Sequence, residues 1–239
     1  MKLGGRPARI AVASAGLVPL AWGLFDLATD GLGPEPVEEI THRTGSWALR
    51  MLVLSLSITP LRKALRAPGL APHRRTFGLL TFLYATMHFT TYLALDLDFR
   101  LGGLAEDIRE RPFITVGFTA WVLLTPLALT STRAWIRRLG KRWRRLHRAV
   151  YPVAILAAIH FVWSAKADWL EPGIYAGVLA VLLGLRGVER FGQKRSNYAT
   201  IRRSRNPDET HVQGAGGKDQ ATDPQAAPTA NPDPKGKTP

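Results

Sequence analysis

The chain has no cysteine. That absence removes disulfides, thiolate zinc sites, iron–sulfur clusters and thiol nucleophiles. Methionine is scarce, confined to Met1, Met51 and Met87, so a metal or cofactor must be held by histidine, carboxylate or backbone. Acid is missing from two whole connecting segments, 61–75 and 131–146. Large apolar side chains nearly vanish after about residue 193, where Pro, Gly, Asn, Asp, Gln and Thr dominate. Such a stretch buries too little surface to offset its ordering entropy, so 192–239 is expected to be a disordered polar tail. No Gly-rich dinucleotide motif follows a strand, and no soluble domain of adequate size is expected, so the chain holds no hydride-handling module.

What is present is a set of apolar runs, at 10–27, 47–60, 76–95, 113–129, 149–163 and 173–188. Several fall short of the ~20 residues that cross a bilayer at about 1.5 Å per residue, and their aromatic-rich flanks extend them. Run 47–60, short and interrupted by Arg50, is the least secure of the six. Length alone does not separate six spans from a soluble bundle, but charge does. Segment 26–43 sets Asp26, Asp30, Glu35, Glu38 and Glu39 against Arg43. Segment 61–75 is purely basic, 96–111 is acidic on balance, and 131–146 is purely basic with Arg133, Arg137, Arg138, Lys141, Arg142, Arg144 and Arg145. Arg186, Arg190, Lys194 and Arg195 follow at the end of the last run.

Alternation of this kind is the positive-inside pattern of an even-numbered membrane bundle. The expected fold is all-α: an integral membrane bundle of six transmembrane helices at 10–191, with both termini cytoplasmic and a cytoplasmic segment at 1–9. The tryptophans lie mostly near span ends, as an interfacial belt requires. The net charge of +14 then acts as an orientation signal and not as a nucleic-acid footprint. The first run lacks a small-x-small cleavage site and reads as a retained anchor.

Of six histidines, His211 falls in the tail and His42 and His73 in connecting segments. His88 and His160 fall well inside the third and fifth runs, where an ionisable side chain is costly and functional by default; the alternative is a neutral imidazole bonded to a neighbouring helix. Both runs start from a basic segment, and His88 lies roughly 18 Å beyond Thr76 while His160 lies roughly 20 Å beyond His147. Two imidazoles at equal depth on different helices could hold one metal from opposite sides. No carboxylate or thiol shares that depth, so a small ion would be under-coordinated. A haem brings four equatorial nitrogens and asks only for axial ligands. Phe82, Phe89, Tyr92, Ile159 and Phe161 would line the gap, with Ala85, Thr86, Ala157 and Ala158 leaving room. Bis-histidine haem b is the best fit.

His147 stands at the mouth of the fifth run and cannot share that haem. It either ligates a second one or touches propionates, lipid headgroups or a quinone head. His73 is the one histidine available as partner for an inner haem. On an ideal helix His147 and His160 are about 140° apart, an angle that a kink at Pro152 would change. Arg74, Arg75, Arg144 and Arg145 could pair propionates or a flavin phosphate, or serve orientation and anionic-lipid contact. Glu35, Glu38, Glu39, Glu106 and Asp107 offer an acidic outer surface.

The histidine of the third run, the pair thirteen residues apart in the fifth, and the strings ITPLRKAL, RRTFGLLTFLYATMHFTTY, TSTRAWIRRLGKRWRRLHRAVYPVAILAAIHFVWSAK and IYAGVLAVLLGLR resemble the ferric-reductase-type transmembrane domain. Within it they resemble the haem-bearing membrane subunits of bacterial protein-methionine-sulfoxide reductase systems, over roughly 10–190. The resemblance implies a multi-pass protein of the bacterial inner membrane. It implies electron transfer from the quinone pool, or a cytoplasmic flavin reductase, to a periplasmic molybdopterin-containing methionine sulfoxide reductase. It implies His88, His147 and His160 as haem ligands and FMN as a further cofactor, with no substrate-reducing site in the chain itself. Flavin and nicotinamide modules, which other enzymes with this domain carry, are absent from the expectation. Two rival readings are a proton-coupled transporter or channel with a histidine relay, which would need acidic partners inside the spans, and a non-redox membrane scaffold.

Overall fold

The computed structural model describes residues 4–165 and 169–205, with side chains described as far as 188. Among the described residues the chain is entirely helical, without a strand. In order, the α-helices are α1 (Arg6–Ala28), α2 (Pro36–Ala64), α3 (His73–Thr91), α4 (Leu101–Glu110), α5 (Pro112–Leu129), α6 (Arg133–Leu139), α7 (Lys141–Leu146), α8 (Val150–Ser164) and α9 (Leu170–Arg205). A π-helical turn, Tyr92–Asp96, continues α3, and 3-10 turns occupy Pro68–Leu70 and His147–Ala149. The chain divides into two units at Glu189/Arg190, the second containing the end of α9. Helix α1 thus starts inside 1–9, and α9 crosses the boundary drawn at 191/192. From 206 on, the polar segment lies outside the described residues.

Local chemistry sets the helix ends. Pro36 and Pro112 open α2 and α5 at the first helical position, where a missing N–H costs nothing. Helix α2 carries Glu38 and Glu39 in its first turn and Arg62 and Lys63 in its last, both signs favourable to the helix dipole. The Thr132 hydroxyl caps α6 by accepting from the Trp135 N–H at 3.3 Å. Gly140, at φ +49°, separates α6 from α7 in a conformation that a side chain would resist.

Helix α2 is central. Its Leu49, Leu52 and Leu56 bury against Ala154 of α8 and Leu179 and Leu182 of α9. On another side Met51 packs with Leu80 and Tyr84 of α3, flanked by Leu20, Trp47, Ala48 and Phe77. The Tyr84 hydroxyl donates to the Gly16 carbonyl of α1 at 2.8 Å. Two helix pairs lie side by side in opposite directions. Thr41 of α2 meets His88 while Ser55 meets Arg74 of α3, and Phe113 of α5 meets His160 while Ser131 meets His147.

Four stretches are long and apolar enough to cross a membrane by length and composition: Arg6–Ala28, Pro112–Leu129, Lys141–Ser164 and Leu170–Val188. The other two expected runs lie on α2 and α3, whose polar residues lower their mean hydropathy. Those residues face the interior: Thr44, Ser46, Ser55, His73 and Thr81 are buried. Many hydroxyls bond a carbonyl one turn back in their own helix, as Thr44, Ser57, Thr81, Thr119 and Thr125 do. That is how a polar side chain is satisfied where water is absent. Conversely Trp22, Phe25, Val181, Leu185 and Val188 are outward and exposed, an inversion that suits lipid.

Candidate functional site

The His88 imidazole reaches from α3 to the start of α2, and Nδ1 lies 2.9 Å from the Thr41 carbonyl oxygen. The His160 imidazole reaches from α8 to the start of α5, with Nδ1 2.7 Å from the Phe113 carbonyl. A carbonyl only accepts, so each Nδ1 carries the proton and each Nε2 keeps its lone pair. This is the outer-shell arrangement that orients a metal-binding histidine.

Both carbonyls lie inside a helix and are reachable because the residue one turn on is glycine. A Cβ on Gly45 would stand 3.1 Å from His88 Nδ1 and Cε1, and one on Gly117 would stand 2.7 Å from the same atoms of His160. Each glycine is therefore a cradle that a methyl group would fill. The two seats have the same sequence separation, 47 residues from carbonyl to histidine. Every position recurs 72 residues later (41 to 113, 45 to 117, 88 to 160), and a phenylalanine follows each histidine.

The two rings face one another across 6.1 Å between centroids, with their planes at 70°. A metal–imidazole bond of about 2 Å on each side, plus about 1 Å from nitrogen to ring centre, puts two axial imidazoles about 6 Å apart. The observed spacing meets that requirement. No cluster of three or more His, Cys, Asp or Glu exists among the described residues, so a bare ion needing four protein ligands does not fit here. A group that brings its own equatorial donors does.

Around the pair, Phe89 stacks on Trp121 at 4.7 Å and tilts against Phe118 at 5.7 Å, and Trp121 Nε1 donates to Thr86 Oγ1 at 3.1 Å. Phe113 stacks beside His160 at 6.3 Å. Phe161 instead turns to His42 and Tyr175, at 6.2 and 6.1 Å. Ile159 is 43 % exposed and points away from the interior, correcting its expected place in the lining.

His147 is not part of the pair. Its Nδ1 lies 3.3 Å from the Trp143 carbonyl, its Nε2 3.4 Å from Ser131 Oγ, and its ring stacks on Trp143 at 3.9 Å. The 3-10 turn at His147–Ala149 precedes Pro152, which sits in the first turn of α8. The ideal-helix angle between His147 and His160 therefore does not apply. His73 is buried at the first residue of α3. Of the four candidate arginines, Arg75, Arg144 and Arg145 are exposed, and Arg74 alone is half-buried.

Sequence reasoning missed the seats themselves, Thr41, Gly45, Phe113 and Gly117, although the shared spacing was there to be read. It also left Arg50 unexplained. Arg50 Nε donates to the Tyr175 hydroxyl at 2.8 Å, Nη2 to Glu171 Oε1 at 3.2 Å, and the guanidinium lies over the Trp47 ring at 4.8 Å. Glu171 also approaches His42 Nε2 at 3.8 Å. Nearby, Arg43 pairs with Asp26 and Glu39, and those hydrogen bonds hold its pKa above the usual arginine value.

An interior histidine pair between apolar helix pairs defines a class, and comparison with known proteins agrees. Residues 44–158 match the family described as "Ferric reductase like transmembrane component", so this is a ferric-reductase-like membrane protein. The chain is 48 % identical over 209 residues to "Protein-methionine-sulfoxide reductase heme-binding subunit MsrQ" of Xanthomonas campestris pv. campestris (strain B100), covering 85 % of this chain and 94 % of that one. A protein of the same description from Xanthomonas oryzae pv. oryzae (strain MAFF 311018) is 46 % identical over the same shares. One from Ralstonia nicotianae (strain ATCC BAA-1114 / GMI1000) is 47 % identical over 76 % of this chain and 85 % of its own. No solved structure matches. The chain belongs to the MsrQ family.

Proposed function

We propose that the chain is the haem b electron-transfer subunit of a protein-methionine-sulfoxide reductase system in the bacterial inner membrane. His88 and His160 are the axial ligands. The supporting observation is the pair of imidazoles at 6.1 Å, each with Nδ1 committed to a backbone carbonyl. The relatives' description as heme-binding subunits supports the same reading. A haem held there supplies one-electron redox chemistry.

The remainder of the reading is inferred from the charge pattern of the sequence and from the family resemblance. Six spans cross the membrane with both termini in the cytoplasm; α2 and α3, whose polar groups lie inside the bundle, account for the two runs that hydropathy alone misses. Electrons enter at the basic cytoplasmic end from the quinone pool or a cytoplasmic flavin reductase, with FMN as a further cofactor. They leave toward a periplasmic molybdopterin-containing methionine sulfoxide reductase. The acidic crevice bounded by Glu35, Glu38, Glu39 and His42 is a suitable docking surface for that partner. His147, with His73 as its partner, serves a second, inner haem, and Arg74, Arg75, Arg144 and Arg145 face the propionate or flavin-phosphate side of that region. The domain reading stands beside this one, with the core at 10–191 and a polar cytoplasmic tail after it.

The test is optical. Detergent-solubilised protein from haem-replete cells is expected to be red, with a Soret band and sharpened α/β bands on dithionite reduction. Iron per chain counts the haems. His147→Ala removes part of the haem if the inner site exists, and a colourless wild-type preparation overturns the reading.

A further inference from the structure

At the end of the bundle away from the imidazole pair, two arginines lie near each other with no acid between them among the described residues. Arg186 of α9 is 7 % exposed. Its Nη1 donates to the Tyr151 hydroxyl at 2.9 Å and its Nη2 to the Leu56 carbonyl at 2.7 Å. Its Nε is buried and has no hydrogen-bond partner among the described residues. The guanidinium also lies over the Tyr151 ring, 5.4 Å from the centroid. Arg74, at the start of α3, meets Ser55, the neighbour in sequence of Leu56, whose carbonyl Arg186 holds. The Arg74 carbonyl accepts from Ser55 Oγ at 3.0 Å, which pins that turn of α3 to α2.

Hydrogen bonds to a phenol and a carbonyl satisfy donors but do not neutralise charge. A buried cation without a counter-charge costs several kcal/mol, and here a second cation adds to it. The acids in the described ion pairs are committed elsewhere, to Arg43, Arg50, Arg111 and His42. The buried Arg186 charge, with its orphan N–H and Arg74 nearby, calls for an anion that the described side chains do not supply.

We propose that Arg186, Tyr151 and Arg74 form a phosphate-binding site at the junction of α3, α8 and α9. Two guanidinium forks match the several acceptor oxygens of a phosphate, and the buried Arg186 Nε is the donor that remains for it. Tyr151 precedes His160 by nine residues on α8, about 13 Å of rise, so this seat is distinct from the imidazole pair. The phosphate comes from an anionic lipid headgroup or from a soluble phosphate-bearing molecule. The proposal deepens the reading given to Arg74 and does not rest on the haem ligands.

The experiment uses the full chain in phosphatidylcholine nanodiscs at constant ionic strength. The melting temperature is followed in one arm against added inorganic phosphate and in the other against phosphatidylglycerol content. Wild type is expected to show a saturable rise in at least one arm. A response to inorganic phosphate assigns a soluble source, and a response to phosphatidylglycerol alone assigns a headgroup. Arg186→Gln abolishes the rise, and substitution of an exposed arginine elsewhere, Arg137→Gln, leaves it intact. Tyr151→Phe, which keeps the volume, raises the midpoint concentration about five-fold, the equivalent of one lost hydrogen bond. That variant carries the comparison if Arg186→Gln does not fold. No rise in wild type, or an unchanged response in Arg186→Gln or Tyr151→Phe, overturns the proposal. The Soret band of the same samples reads the imidazole pair separately.

Discussion

The His88 and His160 seats are built alike and tightened differently. Each has a histidine Nδ1 on a helical carbonyl, exposed by a glycine one turn further on. At His160 the hydrogen bond is 2.7 Å and a Cβ on Gly117 would stand 2.7 Å from two ring atoms; at His88 the corresponding distances are 2.9 Å and 3.1 Å. His160 also has the Phe113 ring stacked beside it. The difference teaches that one ring is wedged by close packing and the other leans on a hydrogen bond with room to adjust. The seat on α5 and α8 should therefore be the less forgiving of the two.

The comparison breaks most severely when either histidine is removed. His88→Ala and His160→Ala should each lose nearly all of the haem proposed to sit between the two rings, read as haem per chain by the reduced-minus-oxidised spectrum. Equal occupancy in both variants and wild type would dissolve the pair. Next in size is Gly117→Ala, whose methyl cannot be accommodated without moving the His160 ring. It should lower haem content several-fold and shift the ferric spectrum toward high spin. Gly45→Ala should shift the spectrum in the same direction and by less, because its neighbour need give only a few tenths of an ångström. A larger effect at Gly45 than at Gly117 would reverse the ranking of the seats.

Smaller effects test the scaffold around them. Arg50→Gln removes the partner of Glu171 and Tyr175 while leaving both seats untouched. It should lower stability by about 1–2 kcal/mol, seen as an earlier melt with an unchanged Soret position. Tyr84→Phe removes the side-chain donor to the Gly16 carbonyl and should cost about 1 kcal/mol, again without spectral change.

Much of the site was legible in the sequence because bilayer physics makes polar residues in apolar runs conspicuous. His88 and His160 stood out on that ground, and counting rise from the basic segments placed them level. The partners of those rings were not legible, since a backbone carbonyl has no letter in a sequence. Gly45 and Gly117 read only as small residues until their neighbours were known. Arg50 weakened the second run as a membrane segment because its partners lie more than a hundred residues away, on α9. Arg186 looked like one of several orientation charges, and only the fold shows it turned inward to Tyr151 and Leu56. The segments 96–111 and 131–146 were read as connections. The amphipathic spacing of Leu101, Leu104 and Ile108 in α4, and the Thr132 cap of α6, were signals for the helices found there.

The near-perpendicular rings, at 70°, offer the most direct test of a single iron shared between them. Low-temperature electron paramagnetic resonance of the ferric protein should show a strongly anisotropic low-spin component, as crossed axial imidazoles produce. That component should vanish in both His88→Ala and His160→Ala. Its full persistence in either variant, or a low-spin signal typical of parallel rings in the wild type, would contradict the account.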